Sequence, residues 1–281
     1  GVRQRLRRPV RAALRLRGKR DAAVRGQESE LPRPLMEPAA EEPRLRLGTS
    51  GWSYDHWWGA LYPPELSPID WLARYAEEFD TVELNSSFYR LPFVNMVKGW
   101  AKRSPEGFTF AAKAHRRITH LLRLRDCRDE LRRCLSRLQL LGGKLGPLLF
   151  QFPPNLGRDE ELLEQFVAEL PSGDHAIEFR HASWETPDVF ALLSHYGVAP
   201  CVVSMPDYPV DLTTTGRFAY VRLHGSETLY ASCYSDQELA VWATRLLALK
   251  QSGLSAYVYF NNDANGHAVR NARTLKALVE A

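Results

Sequence analysis

The feature that most constrains this chain is an alternation. From residue 45 onward, short apolar runs of strand length alternate with amphipathic stretches of helical length. Strands are predicted over 45–52, 81–88, 108–114, 145–152, 175–180, 199–204, 219–225 and 256–262, and helices over 68–79, 94–103, 126–141, 159–170, 187–196, 236–251 and 266–280. Parallel strands need crossover helices, so this rhythm predicts a parallel sheet. Eight strands predict closure into a single α/β domain, a (β/α)8 barrel of TIM type, for which about 250 residues are usual. The structural alternative is an open doubly wound sheet. That fold usually carries G-x-G-x-x-G after its first strand, which Gly48-Thr49-Ser50-Gly51 does not match.

Punctuation along the chain supports the element boundaries. Ser67-Pro68 reads as an N-cap followed by proline at the first helical position. Ser235 with Glu238 reads as a capping box, and Gly253 as a helix stop. The Pro- and Thr-rich stretch 205–218 reads as a long loop in place of the sixth helix. Trp71 and Trp242, at helical spacing, read as core.

The net charge of +4 is unevenly distributed. Residues 1–44 hold 12 Lys/Arg and 6 Asp/Glu, leaving 25 basic and 27 acidic side chains for 45–281. The folded part is therefore slightly acidic, and a nucleic-acid argument cannot rest on whole-chain charge. The segment 1–44 is read as a disordered Arg-rich tail with too few large apolar residues to fold alone. Three readings of it stay open: a basic arm for nucleic acid, an Arg-rich targeting peptide, or sequence upstream of a native start at Met36. No run is apolar enough to span a membrane, so no membrane association is expected. Cys127, Cys134, Cys201 and Cys233 include no C-x-x-C pair, and Cys127 and Cys134 are two helical turns apart, roughly 10 Å, too far for a disulfide. A reducing, cytoplasmic setting is expected.

Barrel chemistry gathers at the C-terminal ends of the strands. Period-two alternation places Thr81, Glu83 and Asn85 on one face, Glu178 and Arg180 on another, and Tyr220, Arg222 and His224 on a third. Lys113 and Gln151 end the third and fourth strands, and Asn261, Asn262 and Asp263 end the eighth. Charges inside apolar strands are costly unless paired, so a shared pocket would account for so many at one end. Ion pairs internal to the barrel are the structural alternative. Tyr54, Tyr89, Trp184, Tyr230 and Tyr234 add aromatic surface near the strand ends, with Arg90 and His120 close by. Trp57 and Trp58 are expected to pack beneath loops. There is no H-x-H and no H-E-x-x-H. Glu83, Glu178, His224 and Asp263 could converge on a divalent metal, which stays the minor reading; no cofactor is expected.

Several strings are long and distinctive: GTSGWSYDHWWGALYP (48–63), VELNSSFYRLP (82–92), FTFAAKAHRRITH (108–120), LGPLLFQFPP (145–154), AIEFRHASW (176–184), YVRLHG (220–225), YASCYSDQEL (230–239) and YVYFNNDANGHAVRNA (257–272). In order, they resemble the family of domain of unknown function 72 across 45–281. The resemblance implies a (β/α)8 barrel and no agreed activity. It also implies likeness to barrels of the endonuclease-IV and sugar-isomerase type, an analogy of fold only. One departure concerns the sixth strand, which in the family commonly ends in Asp and here ends in Ser204, with Asp207 following in the loop.

Three functions follow as expectations. The first is an enzyme acting on a phosphate-bearing substrate, a phosphodiester or a phosphosugar. In it Lys113, Arg180 and Arg222 hold phosphate, Glu83 or Glu178 acts as general base, His224 as acid or base, and Asn85, Asn261 and Asn262 orient the substrate. The second is a non-enzymatic nucleic-acid binder using the eight Arg of 116–137, against the simpler reading of that stretch as a solvated surface. The third is a neutral-sugar hydrolase or isomerase using the Glu83–Glu178 pair.

Overall fold

The computed structural model describes residues 42–281; the tail reading otherwise concerns residues outside that range. Eight parallel strands, β1 (Leu45–Thr49), β2 (Thr81–Leu84), β3 (Thr109–Lys113), β4 (Leu145–Gln151), β5 (His175–Glu178), β6 (Ala199–Ser204), β7 (Phe218–Leu223) and β8 (Ser255–Phe260), run in the order β1-β8-β7-β6-β5-β4-β3-β2. Eight helices flank them: α1 (Trp71–Ala76), α2 (Ser86–Tyr89), α3 (Val94–Arg103), α4 (Arg128–Leu138), α5 (Glu160–Ala168), α6 (Pro187–His195), α7 (Asp236–Gln251) and α8 (His267–Glu280). The β1–β2 seam carries only a bridge between Ser50 and Glu83, with the Gly51 N–H donating to the Glu83 carbonyl at 2.9 Å. Gly48 makes the seam close: a Cβ there would fall 2.2 Å from the Thr81 carbonyl oxygen. The fold is the expected (β/α)8 barrel.

The apolar residues sort into two cores, as a barrel requires. A small inner one of Ala111, Leu149, Ala176, Ala199, Phe218, Tyr220 and Tyr259 fills the lumen, small side chains facing large ones. A much larger one lies between sheet and helices and contains Trp71 and Trp242. Trp57 is fully buried under the first loop, whereas its neighbour Trp58 is half exposed.

Helix α3, strand β6 and helix α7 have the predicted bounds. The Ser235–Glu238 capping box forms, and Gly253 follows α7 with φ +89°. No helix separates β6 from β7. Most strands stop one to four residues earlier than their apolar runs. The largest shortfall is β2: 85–88 leave the sheet where the Ser87 hydroxyl lies 2.7 Å from the Leu84 carbonyl and 2.6 Å from the Lys113 carbonyl, its one proton shared between them, and the chain turns into α2. Helix α1 starts at Trp71, since Pro68–Asp70 form a turn closed by the Asp70 N–H on the Ser67 carbonyl. All four cysteines are free thiols. No helix among the described residues is long and apolar enough to cross a membrane.

Candidate functional site

Period-two geometry turns every second strand residue into the lumen, so the last inward residue of each strand meets the others at the barrel mouth. Above the apolar layer these residues are Glu83, Lys113, Gln151, Glu178 and Arg222. The Arg222 guanidinium lies between two carboxylates, with Nη1 donating to Glu178 Oε2 at 2.6 Å and Nη2 to Glu83 Oε1 at 2.8 Å. All three side chains are buried. Glu83 also accepts from Ser50 Oγ at 2.5 Å and from the Tyr220 hydroxyl at 2.7 Å. Glu178 also accepts from Gln151 Nε2 at 2.8 Å and from Arg180 Nε. Burial alone would raise both carboxyl pKa values. Arg222 outweighs it, helped by Ser50 and Tyr220 at Glu83 and by Arg180 at Glu178, and both groups are held below the ordinary carboxylate range.

His224 is fully buried beside this triad. Burial, and secondarily the nearby guanidinium groups, lower its pKa to about 4, against the favourable pull of Glu178. The ring is therefore neutral at pH 7, and its 3.8 Å approach to Glu178 is not an ion pair. A neutral imidazole has one lone pair. Arg180 Nη2 lies 3.1 Å from Nε2 and Asn261 Nδ2 lies 3.1 Å from Nδ1, so two donors face the ring and its single lone pair accepts from one of them.

Lys113 differs from every other charge in the lumen. Its Nζ donates to Gln151 Oε1 at 2.9 Å and sits 3.9 Å from the Phe88 ring centroid, with no carboxylate within ion-pair distance among the described residues. Burial and then the positive field of Arg222 lower its pKa to about 8. The ammonium opens onto a cleft of about 420 Å³ lined also by Asn85, Tyr89, Arg116, His120, Gln151, Tyr230 and Asn261. His120 lies in a π-helical turn over Arg117–Leu121, an irregularity often found at functional sites. Its Nδ1 is 2.9 Å from Thr119 Oγ1, and its ring meets Phe88 edge-on at 4.9 Å. Tyr230 holds φ +63°, uncommon for a bulky residue; its ring stands against His224 at 5.2 Å and its N–H donates to the His224 carbonyl at 2.5 Å.

Of the residues expected at the site, Asn85, Tyr89, Lys113, His120, Gln151, Arg222 and Asn261 line this cleft, with Glu83, Glu178, Arg180 and His224 joined to them by hydrogen bonds. The others are used elsewhere. Trp184 is fully buried, stacks on Phe179 and donates to the Leu156 carbonyl. Tyr234 is buried against Gly225 and Ser204. Asn262 is buried on Asn271 and the Ser232 carbonyl. Asp263 ties down Trp57 and His56. Tyr54 bonds the Ser50 carbonyl beside a neighbouring cavity, and Arg90 stacks on Phe93. The residue-type reading missed Ser50, Arg116 and the direct tie of Tyr220 to Glu83. Only Tyr220 carried a signal, since it shares the inward face of Arg222. Ser204 at the end of β6 accepts from the Tyr234 hydroxyl at 2.9 Å, and Asp207 is exposed in the loop. No group of three or more His, Cys, Asp or Glu among the described residues is placed to hold a metal ion.

The fold and this mouth define the class: a (β/α)8-barrel protein with a buried carboxylate–guanidinium network beneath a cleft at the C-terminal strand ends. The sequence matches the family described as "Protein of unknown function DUF72" over residues 46–281, and the chain belongs to that family. It is 28% identical over 273 residues to the UPF0759 protein YunF of Bacillus subtilis, covering 84% of this chain and 95% of the relative. It is 30% identical over 139 residues to the UPF0759 protein YecE of Escherichia coli K12, covering 49% of this chain and 48% of the relative. A DUF72 family protein from Thermotoga maritima has a similar crystal structure, with TM-score 0.78, 29% identity and coverage of 85% of this chain and 100% of that one. One from Enterococcus faecalis shares the fold, with TM-score 0.75, 23% identity, and 84% and 96% coverage.

Proposed function

We propose that the cleft at the barrel mouth binds a small phosphate-bearing substrate and that the protein is an enzyme acting on it. The observation that carries this reading is the Lys113 ammonium, buried on an aromatic face with a neutral hydrogen-bond partner and no carboxylate. A buried cation of that kind gains most from an anionic ligand. Arg116 on the cleft wall adds a second cation. Arg222 and Arg180 are already engaged by Glu178 and its neighbours, so their role is to shape and charge the floor. Glu83 and Glu178 are ionised and saturated with donors, which suits holding Arg222 better than taking a proton. The groups left for proton transfer are Lys113, near its pKa at neutral pH, and His120. Both sit on the Phe88 ring.

The two other functions find less support. A glycosidase acid needs a raised carboxyl pKa, and both carboxyls are lowered. In the Arg-rich stretch, Arg117, Arg125, Arg128 and Arg132 each pair with an acid and Arg123 with Asn155, so much of its charge is locally offset, as on a solvated surface. A thermal-shift screen of the full chain against phosphosugars, nucleotides, oligonucleotides and metal ions tests the reading. A phosphorylated small molecule should raise the midpoint by mass action. A rise with oligonucleotides alone, or no response anywhere in the panel, counts against it.

A further inference from the structure

Beside the barrel mouth, between α1 and α3, lies a second cavity of about 280 Å³. Its chemistry differs from that of the cleft. Trp52 and Trp100 meet edge to face at 5.2 Å in its wall, and Leu72, Leu84 and Met96 complete an apolar lining. Ser53, Tyr54 and Ser86 add polar groups to that lining, and two further polar side chains in it have a buried atom without a partner among the described residues. Asn85, shared with the polar cleft, has a buried Oδ1 with no hydrogen-bond donor among the described residues. Arg103 has a buried Nε with no acceptor, and its guanidinium makes no ion pair among the described residues.

The position of Arg103 has a local cause. A basic residue in the last turn of a helix normally bonds the free carbonyls there. In α3 that task falls to Lys144, whose Nζ donates to the carbonyls of Ala101 and Ser104 at 2.7 and 2.6 Å. Arg103 instead lies back over Gly99. A Cβ there would stand 3.1 Å from both Nη atoms, so the missing side chain gives the guanidinium its room. A partly buried guanidinium without a carboxylate costs free energy that an anionic ligand would recover.

We propose that this cavity binds a small monocarboxylate with an apolar aryl or alkyl body, its carboxylate on Arg103 and its body between Trp52, Trp100 and Leu72. A hydroxyl or amine at the other end of the ligand would satisfy Asn85 Oδ1. The site is separate from the phosphate reading of the cleft and does not depend on it.

Trp52 and Trp100 provide the readout. The full chain is titrated with 3-phenylpropionate and with 3-phenylpropanamide, following tryptophan fluorescence. Saturable quenching is expected for the acid, with the uncharged amide at least roughly tenfold weaker, since an ion-paired carboxylate contributes more than a neutral acceptor. R103M should weaken the acid to the level of the amide, and R103K, which keeps the charge, should retain most of the binding. K113M should leave it unchanged, which separates this site from the cleft. No saturable quenching by the acid, equal binding of acid and amide, or undiminished binding by R103M would each overturn the proposal.

Discussion

Arg222 carries more of the architecture than any other side chain at the mouth. It neutralises two carboxylates that are fully buried, and each of those accepts from further donors. Removing one member of such a group leaves uncompensated charge in a low-dielectric interior, which costs about 3–5 kcal/mol. R222M should therefore lower the unfolding free energy by about that amount in urea titration, with R222K less severe because it keeps the charge, yet still below the parent because an ammonium cannot reach both carboxylates as a fork. An R222M protein as stable as the parent would show that Glu83 and Glu178 are not held as ions. At this scale the sequence was informative wherever alternation decided orientation. Glu83, Glu178 and Arg222 could be placed inward from their strands alone. Which charges were spent on one another could not be read, because pairing across the lumen depends on register between strands far apart in the chain. The same limit applies to Trp184, Tyr234 and Asn262: their types suit a binding site, but long-range hydrogen bonds in the core hold them.

At the scale of elements, some boundaries followed local chemistry. The α7 cap is an example: Ser235 Oγ accepts from the Glu238 N–H, and the Glu238 carboxylate accepts from the Ser235 N–H. S235A should cost about 1 kcal/mol, measured by thermal or chemical unfolding, with the Lys113 cleft unaffected. A neutral result would mean that packing of α7 alone sets its start. Boundaries failed where a side chain redirected the backbone. The run through 81–88 reads as one strand because Phe88 continues the apolar pattern, and nothing local reveals that Ser87 will bond the Lys113 carbonyl on the next strand. That bond matters for the site, because it turns α2 inward and brings Phe88 under the Lys113 ammonium. The π-helical turn bearing His120 was equally invisible, since its shape has no periodic signature.

At the scale of the whole molecule, uneven charge clarifies what the barrel can bind. The excess of basic residues lies in 1–44, and 45–281 hold 25 basic against 27 acidic side chains. An anion site in this barrel must therefore come from local placement, and on the proposed reading Lys113 supplies it. Anion binding favours the ammonium over the neutral amine, so affinity should fall as pH rises through the Lys113 pKa of about 8. Inorganic phosphate becomes more fully dianionic between pH 7.5 and 9.5, which would strengthen binding, so its own titration cannot produce the predicted fall. The central claim is tested most directly by calorimetric titration of the full chain with phosphate at pH 7.5 and pH 9.5, for the parent and for K113M. Saturable binding at pH 7.5 is predicted, weakened roughly tenfold or more at pH 9.5 and abolished in K113M. Binding that is equal at the two pH values and survives in K113M would contradict the account.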